Sequence, residues 1–218
     1  MLTALLLKIK NKIIRKLINY GIIRSTHQSI GGKQIIFSCI HKSQILKKIA
    51  CFGWESFESE LVKFLVHYPF EIKTFIDGGA NVGFFSVLSS IFFGNSTKTI
   101  AVEPYQPNID YIRYLSQHNK LDIQVIEKAL YHQDNYDLKF YVPIGKNNSS
   151  LSAAASLINR FQGTGNIYTA TKYQEVDVKT ISLDTLLSRY ELPALVKLDC
   201  EGVESIIIQN CKKTYKFR

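Results

Sequence analysis

The sequence predicts an α/β fold in which helices cover both faces of a doubly wound, mostly parallel sheet. Short apolar runs with strand character alternate with amphipathic helical segments along most of the chain, and this alternation is typical of parallel sheets. Three of the apolar runs end in a carboxylate, at Asp77, Glu103 and Asp199. Polar groups at the ends of such strands indicate a ligand site at one edge of the sheet.

The chain is predicted to divide into an N-terminal part, residues 1–52, and a main domain, residues 53–218. Residues 1–23 are predicted to form a helix, because apolar side chains recur there at helical spacing. Gly31 and Gly32 indicate a hairpin turn between short strands at 29–30 and 34–37. The apolar positions of the helix are Leu2, Leu6, Ile9, Ile13, Leu17 and Tyr20.

In the main domain, core strands are predicted at residues 73–77, 98–103, 123–126 and 195–199. The third of these is expected to end in the segment 127–130. Helices are predicted over residues 57–68, 84–91, 107–115 and 203–207, where apolar residues recur at helical spacing. Residues 138–142 alternate in polarity like a partly exposed strand. The long polar stretch between Pro143 and Asp177 predicts either a functional lid or a surface loop.

The first strand leads into the most informative segment of the chain. Acidic tips on two successive strands with an intervening glycine-rich turn are typical of a unit that holds an adenine nucleoside, with the second carboxylate on the ribose hydroxyls. The G-x-G-x-x-G spacing of dinucleotide sites is absent, and Asp77 would repel a pyrophosphate while suiting an ammonium and a sulfonium. These features favour S-adenosylmethionine (SAM), although such turns also serve as simple strand–helix connections. The residues are Asp77, Gly78, Gly79, Ala80, Asn81, Gly83, Glu103 and Pro104.

Two later motifs make a family resemblance specific. Residues 180–187 read T-I-S-L-D-T-L-L and residues 195–204 read L-V-K-L-D-C-E-G-V-E. Together with the glycine turn and the V-E-P at 102–104, they resemble the FkbM-type SAM-dependent methyltransferase family over roughly residues 54–211. That family typically shows D-x-G-A-N-x-G, V-E-P, T-L-D and K-I-D-x-E-G-x-E. Gly78, Ser182 and Cys200 depart mildly from this pattern.

The resemblance implies a Rossmann-like SAM methyltransferase fold and methylation of a hydroxyl on a sugar, glycolipid or secondary metabolite. In such a site Asp77 would anchor the turn against the methionine part of SAM, and Glu103 would bind the ribose. Glu127 could contact the adenine, or it could be an exposed solvated side chain. Asp199 is the preferred candidate for orienting the acceptor or acting as base, with Glu201 as alternate. Capping of the following helix is the structural alternative for both.

The chain is also expected to lack the last strands of that fold, because residues 210–218 are polar and basic and no fifth core strand follows. Truncation, completion by another subunit in a homo-oligomer, and a shortened relative that has lost catalysis are the three explanations. The last would make the protein an inactive binding or scaffold module.

Charge and cysteine content bear on partners and location. The formal charge is +9, and its N-terminal cluster predicts either contact with an anionic membrane through residues 1–23 or a helix packed on the domain with a solvated basic face. The cluster lacks interleaved aromatic residues, which argues against nucleic acid as a partner. The cluster is Lys8, Lys10, Lys12, Arg15 and Lys16.

Four cysteines without C-x-x-C spacing indicate reduced thiols, and no metal constellation is visible. With no spanning run or signal peptide, the prediction is cytoplasmic, with a peripheral position at the inner membrane face.

Overall fold

The computed structural model describes residues 2–144, 155–158 and 173–212. The helices are α1 (Leu2–Asn19), α2 (Gln44–Phe52), α3 (Ser59–Val66), α4 (Phe84–Phe92), α5 (Gln106–His118), α6 (Leu183–Arg189) and α7 (Glu204–Asn210). The strands are β1 (Ser25–Ile30), β2 (Lys33–Ser38), β3 (Thr74–Gly78), β4 (Lys98–Val102), β5 (Ile123–Ile126), β6 (Ala129–Tyr131), β7 (Asp137–Pro143), β8 (Tyr173–Ser182) and β9 (Ala194–Leu198).

The central sheet is parallel, with strand order β5-β4-β3-β9 among the described residues. Apolar side chains on β3 alternate between the two faces of this sheet. Phe75 packs into a core shared with α3, α4 and α5, whereas Ile76 packs into a second core with residues of α6 and α7. Helices therefore cover both faces, and the predicted doubly wound α/β fold is confirmed.

A second, three-stranded sheet has the order β6-β8-β7, with β8 parallel to β6 and antiparallel to β7. The third core strand, predicted at residues 123–126, is confirmed as β5, but the segment 127–130 in which it was expected to end leaves the central sheet. The chain bends at Glu127 and Lys128, where the Lys128 N–H donates to the Ile126 carbonyl, and β6 then joins the second sheet. The partly exposed strand predicted at 138–142 is confirmed as β7.

The N-terminal hairpin of β1 and β2 forms as predicted, and it packs directly on α4 and α5. The ring of Phe37 on β2 lies 6.3 Å from that of Phe84 on α4. Asn119, which follows α5, accepts a hydrogen bond from the Ile36 N–H and donates one to the Ile36 carbonyl. The hydrophobic core thus runs without interruption from the hairpin into the main domain. The division at residue 52 stays a prediction.

Two sequence predictions fall wholly or largely on residues that the structure does not describe. Most of the stretch between Pro143 and Asp177 lies outside the described ranges, as do residues 213–218. Within the described part of the chain, β9 is an edge strand of the central sheet. No helix in the described ranges is both long enough and apolar enough to cross a bilayer.

Candidate functional site

A cleft of about 270 Å³ opens at the carboxyl ends of β3, β4 and β9. The chain runs from β3 through β4 to β5 on one side of the sheet and later returns to place β9 on the other side of β3. Such a reversal is a topological switch point, and open α/β sheets bind their ligands outside it. The sheet topology therefore locates the candidate site where the acidic strand ends meet.

The glycine-rich turn forms one wall of the cleft. Gly79 has a φ of +71°, and a Cβ there would lie 2.0 Å from the carbonyl oxygen of Asp199. Asn81 is also left-handed, with a φ of 52°, and α4 begins directly after Gly83. The turn is thus closed against the loop that follows β9, so the two motifs, distant in sequence, form one structural unit.

Glu103 follows β4, and its side chain is held by three donors. Its Oε2 accepts a hydrogen bond from the Asn81 N–H at 2.8 Å. Its Oε1 accepts from the Tyr105 N–H at 3.0 Å and from the Asn108 side-chain amide at 3.2 Å. Because a carboxylate has about four lone-pair sites, one further donor can still be accepted. The side chain lines the cleft.

Burial of Glu103 sets its protonation behaviour. The residue is 4% exposed, and this desolvation raises the pKa of its carboxyl to about 7. The hydrogen bonds from Tyr105, Asn81 and Asn108 act in the opposite direction, while the nearby charge of Asp77 adds to the rise. Glu103 therefore changes charge near neutral pH.

Behind the turn, Asp77 on β3 forms a buried ion pair with Lys197 on β9. The distance from Asp77 Oδ1 to Lys197 Nζ is 3.1 Å, and Asp77 Oδ2 accepts a hydrogen bond from Ser86 Oγ at 2.7 Å. Lys197 Nζ also lies 3.6 Å from Asp199 Oδ2. Burial lowers the pKa of Lys197, but the charges of Asp77 and Asp199 outweigh it and the net shift is upward. The pair holds β9 to β3 at the floor of the cleft.

The turn after β9 is held by Glu204. Its Oε1 accepts a hydrogen bond from the Cys200 N–H at 2.6 Å, and its Oε2 accepts from the Gly202 N–H at 2.9 Å. The N-cap residue of α7, Val203, makes no side-chain cap bond. Glu204 thus stabilises the turn that precedes α7, the N-cap position is Val203 rather than Asp199 or Glu201, and Asp199 and Glu201 both line the cleft. Burial raises the pKa of the intervening Cys200 thiol to about 12, which leaves it protonated at neutral pH.

Comparison with known families identifies this arrangement. A family model described as the methyltransferase FkbM domain matches residues 77–218, which is more than half of the chain. The chain belongs to the FkbM methyltransferase family. The match begins at Asp77, the first of the site residues predicted from the sequence, and covers the glycine turn, Glu103 and the whole segment around β9.

Other comparisons add little to the family match. A solved structure from Pyrococcus horikoshii, provisionally described as a transferase, is 13% identical and covers 55% of this chain, with a TM-score of 0.30. The chain spans about half of that protein, 54% of its length. A TM-score this low carries no conclusion, so the assignment rests on the FkbM model. No curated protein matches the chain.

Most of the residues predicted from the sequence meet at the cleft. Asp77, Gly78 and Gly83 support the turn from behind, and Glu127 is held elsewhere. Glu127 forms an exposed ion pair with Arg113, so its predicted contact with adenine has no support in the structure. The predicted residues that line the cleft are Gly79, Ala80, Asn81, Glu103, Pro104, Asp199 and Glu201.

Sequence reasoning missed one wall of the cleft, which comes from outside the FkbM match. Ile45 on α2 and the pair Phe57 and Glu58 before α3 line the cleft. Glu58 has a left-handed backbone with a φ of 43°. Desolvation, followed by the charge of Asp199, raises the pKa of its carboxyl. The helical spacing at 57–68 predicted that Glu58 lies within a helix. No sequence signal indicated the left-handed turn at Glu58 or its electrostatic interaction with Asp199.

The charge of the cleft is unbalanced. Among the described residues that line it, four are acidic and one is basic. Apolar side chains of the second sheet, including Leu130 and Phe140, form the opposite wall. A lining of this kind favours a ligand that combines cationic groups with an apolar part. The charged lining residues are Glu58, Glu103, Asp199, Glu201 and Lys197.

Proposed function

We propose that this FkbM-family methyltransferase uses SAM to methylate a hydroxyl group on a sugar, glycolipid or secondary metabolite. The observation that carries the proposal is the buried carboxylate of Glu103, held at the switch point beside the glycine turn with one acceptor position to spare. A ribose hydroxyl is a suitable donor for that position. The acidic lining also suits SAM, which carries a sulfonium and an ammonium.

The residues present fit SAM as a cofactor. Glu103 would bind the ribose, and Gly79, Ala80 and Asn81 would face the methionine part. When bound, SAM supplies an activated methyl group with a good leaving group. The protein's own contribution is then alignment, which in effective-molarity terms can be worth roughly 10⁵–10⁸ M. The backbone contact between Gly79 and Asp199 would fix the position of the cofactor-binding turn relative to the residue proposed to bind the acceptor.

Asp199 is the proposed residue for orienting the acceptor hydroxyl and removing its proton, with Glu201 as alternate. A hydroxyl oxygen must lose its proton as it attacks, and a positioned carboxylate contributes typically about 10²–10⁴-fold to such a step. Asp199 is half exposed at the mouth of the cleft, 3.6 Å from the Lys197 ammonium. The charge attraction would help to fix the position of the Asp199 carboxylate at the mouth of the cleft.

Calorimetric titration with S-adenosylhomocysteine, the product of methyl donation, tests the cofactor site. Micromolar binding is expected, and Glu103→Gln should weaken it by at least about tenfold, because an amide cannot replace a carboxylate that accepts several hydrogen bonds. Glu60→Gln is the matched control, since Glu60 is exposed and pairs with Lys63 on the surface. Absence of binding by a folded wild-type chain would overturn the proposal.

Transfer of a labelled methyl group to a panel of sugars, glycolipids and hydroxylated metabolites tests the acceptor class. With an acceptor found, Asp199→Asn should lower kcat by about 10²-fold or more while leaving S-adenosylhomocysteine affinity nearly unchanged. Transfer to amines alone, or an Asp199→Asn variant with full kcat, would contradict the acceptor class and the role of Asp199 respectively.

A further inference from the structure

Helix α1 packs on the protein through a narrow face. Ile18 is fully buried and Asn11 is 8% exposed, and Ile14 packs against the core from a partly buried position. These positions are separated by three and four residues, so they lie on one side of the helix. The apolar stripe predicted from the sequence is on a different side.

Four residues of that apolar stripe are exposed, and Leu17 is partly buried. Leu6, Ile9, Ile13 and Tyr20 are 57%, 47%, 53% and 78% exposed. Their spacing of three, four and seven residues places them along one line of the helix. Single exposed apolar residues are ordinary, but a contiguous line of large ones marks an interaction surface.

Basic side chains flank the stripe. Lys8, Lys12, Arg15 and Lys16 are all exposed, and on the helix they lie between the packed face and the stripe. Lys10 borders the stripe on its other side. The helix therefore has three faces: one packed on the protein, one basic and one apolar and open.

The rest of the N-terminal region adds to the positive charge. Residues 1–54 contain ten lysines and arginines and no Asp or Glu, so the remaining 164 residues carry 17 basic and 18 acidic side chains. None of the ten cations forms an ion pair with another residue in the described part of the chain. The pKa of Lys47 is lowered by desolvation and then by the charge of Arg15. An excess of like charge this concentrated requires an anionic partner or solvent.

We propose that α1 binds the surface of an anionic membrane, lying in the headgroup plane with its apolar stripe inserted and its basic side chains on lipid phosphates. An amphipathic helix with lysines beside an apolar face is suited to this position. Tyr20, at the end of the stripe, has the amphipathic ring that favours the membrane–water boundary. The packed face ties the catalytic domain to the lipid surface.

The charge distribution selects this partner over two others. A second copy docked on the same face would bring two sets of unpaired cations together, which opposes association. Nucleic acid would neutralise the cations but would leave the aliphatic stripe in water, since stacking on bases requires aromatic rings. An anionic bilayer satisfies both the charge and the apolar surface.

Co-sedimentation with vesicles tests the proposal. The full-length chain is mixed with vesicles of phosphatidylcholine and phosphatidylglycerol, and separately with vesicles of phosphatidylcholine alone, at low and high salt. Strong binding is expected for the anionic vesicles only, and it should weaken as salt screens the lysines. Ile9→Ser/Ile13→Ser should lower the partition coefficient by about tenfold, and Lys8→Gln/Lys12→Gln by on the order of tenfold.

Ile208→Ser is the control, because Ile208 is 50% exposed on α7 and lies outside α1. It should bind vesicles like the wild type, and circular dichroism should show that all variants fold. Absence of binding to anionic vesicles at low salt would overturn the proposal, as would binding that the α1 variants leave unchanged. Concentration-dependent self-association in light scattering without lipid, abolished by Ile9→Ser/Ile13→Ser, would assign the stripe to a second copy instead.

Discussion

At Gly79, two loops that serve different halves of the proposed reaction come into backbone contact. A hydrogen is the largest substituent that the position accepts, because a Cβ would meet the Asp199 carbonyl at 2.0 Å. The left-handed φ of +71° adds a second requirement for glycine. Both constraints act on the same residue, so its substitution has a predictable cost.

Gly79→Ala should lower the free energy of unfolding by about 3 kcal/mol or more, since backbone strain and a clash with backbone add together. Urea denaturation measures the loss. Gly32→Ala is the matched control: Gly32 has a φ of +78°, and a Cβ added there would meet nothing within 4 Å. It should lose only the left-handed strain, about 1–2 kcal/mol. Equal losses in the two variants would contradict the tight contact at Asp199.

Affinity for S-adenosylhomocysteine should depend on the ionisation of Glu103. Burial raises the pKa of this carboxyl to about 7, and in the proposed site the ionised form would accept the stronger hydrogen bonds from the ribose hydroxyls. Affinity should therefore rise with pH up to about 7 and level off above it. Calorimetry across this range should show the rise in the wild type and a flat profile in Glu103→Gln.

The raised pKa of Glu103 makes the stability of the fold depend on pH in the opposite direction from ligand affinity. A carboxyl with a raised pKa holds its proton more tightly in the folded chain, so its contribution to stability is present below the ordinary pKa of 4.5. That contribution is lost as the pH rises through about 7.

For ligand binding, an affinity for S-adenosylhomocysteine that falls with rising pH, where a rise is expected, would contradict the proposed role of Glu103.

Among the elements, β9 is joined to the rest of the sheet by a buried ion pair as well as by backbone hydrogen bonds. It pairs with β3 alone among the described strands, and its side chains are only partly buried. The ion pair between Lys197 and Asp77 crosses this strand pair at 3.1 Å, with an Asp77 carboxylate that is fully buried. The edge strand that presents Asp199 is thus fixed by charge as well as by the hydrogen-bond ladder.

Lys197→Met should lower the free energy of unfolding by about 3–5 kcal/mol, because it leaves the Asp77 carboxylate buried without its cation. Thermal and urea unfolding measure the effect. Lys139→Met is the control, since Lys139 pairs with Asp177 on the surface, where both side chains are substantially exposed. This variant should unfold almost like the wild type. Adding Asp77→Asn to Lys197→Met should recover part of the loss, and no recovery would contradict this account.

The sequence was sufficient for the central sheet and for the helices beside it. The strands β3, β4 and β9 are short apolar runs with an acidic end, and in β3 and β4 this pattern reflects burial on both faces. By contrast, β8 alternates polar and apolar residues at its exposed start and was recognised only as a motif. Helix α2 was missed although Ile45, Leu46 and Ile49 have helical spacing and Ser43 accepts a bond from the Leu46 N–H at its start.

The candidate site was predictable where a residue follows its strand directly, as Glu103 and Asp199 do. Glu127 shows the limit of that rule: it also follows a strand, but the chain turns there toward the second sheet and the side chain pairs with Arg113. Glu58 shows the opposite case, because its place in the cleft comes from packing of the N-terminal elements. Long-range packing and left-handed turns leave little trace in one sequence.

On the scale of the whole molecule, the N-terminal elements and the main domain share one core. Trp54 lies at their junction: its backbone N–H donates to Gln28 Oε1 on β1 at 3.2 Å, and its ring lies 6.0 Å from that of Phe92 on α4. The chain has a single tryptophan, so its fluorescence reports on this junction. A shared core predicts that both parts unfold together.

Unfolding in urea should therefore give the same midpoint by Trp54 fluorescence and by far-ultraviolet circular dichroism. Asn119→Ala, which removes both hydrogen bonds to Ile36 on β2, should move both midpoints down together, with a loss of about 1–3 kcal/mol. An earlier transition in fluorescence alone would show that residues 1–52 form a separate unit. That outcome would favour the division predicted from the sequence.

The contact between Gly79 and Asp199 also sets a rule for exchanging parts between members of the family. The turn and the segment around β9 fit one another without space for a single extra carbon, although 120 positions separate them along the chain. A chimera that takes β9 and its loop from a second parent must take the glycine turn from that parent as well. Ile45, Phe57 and Glu58 line the cleft from outside the FkbM match, so in such a chimera they would be exchanged separately from these two segments.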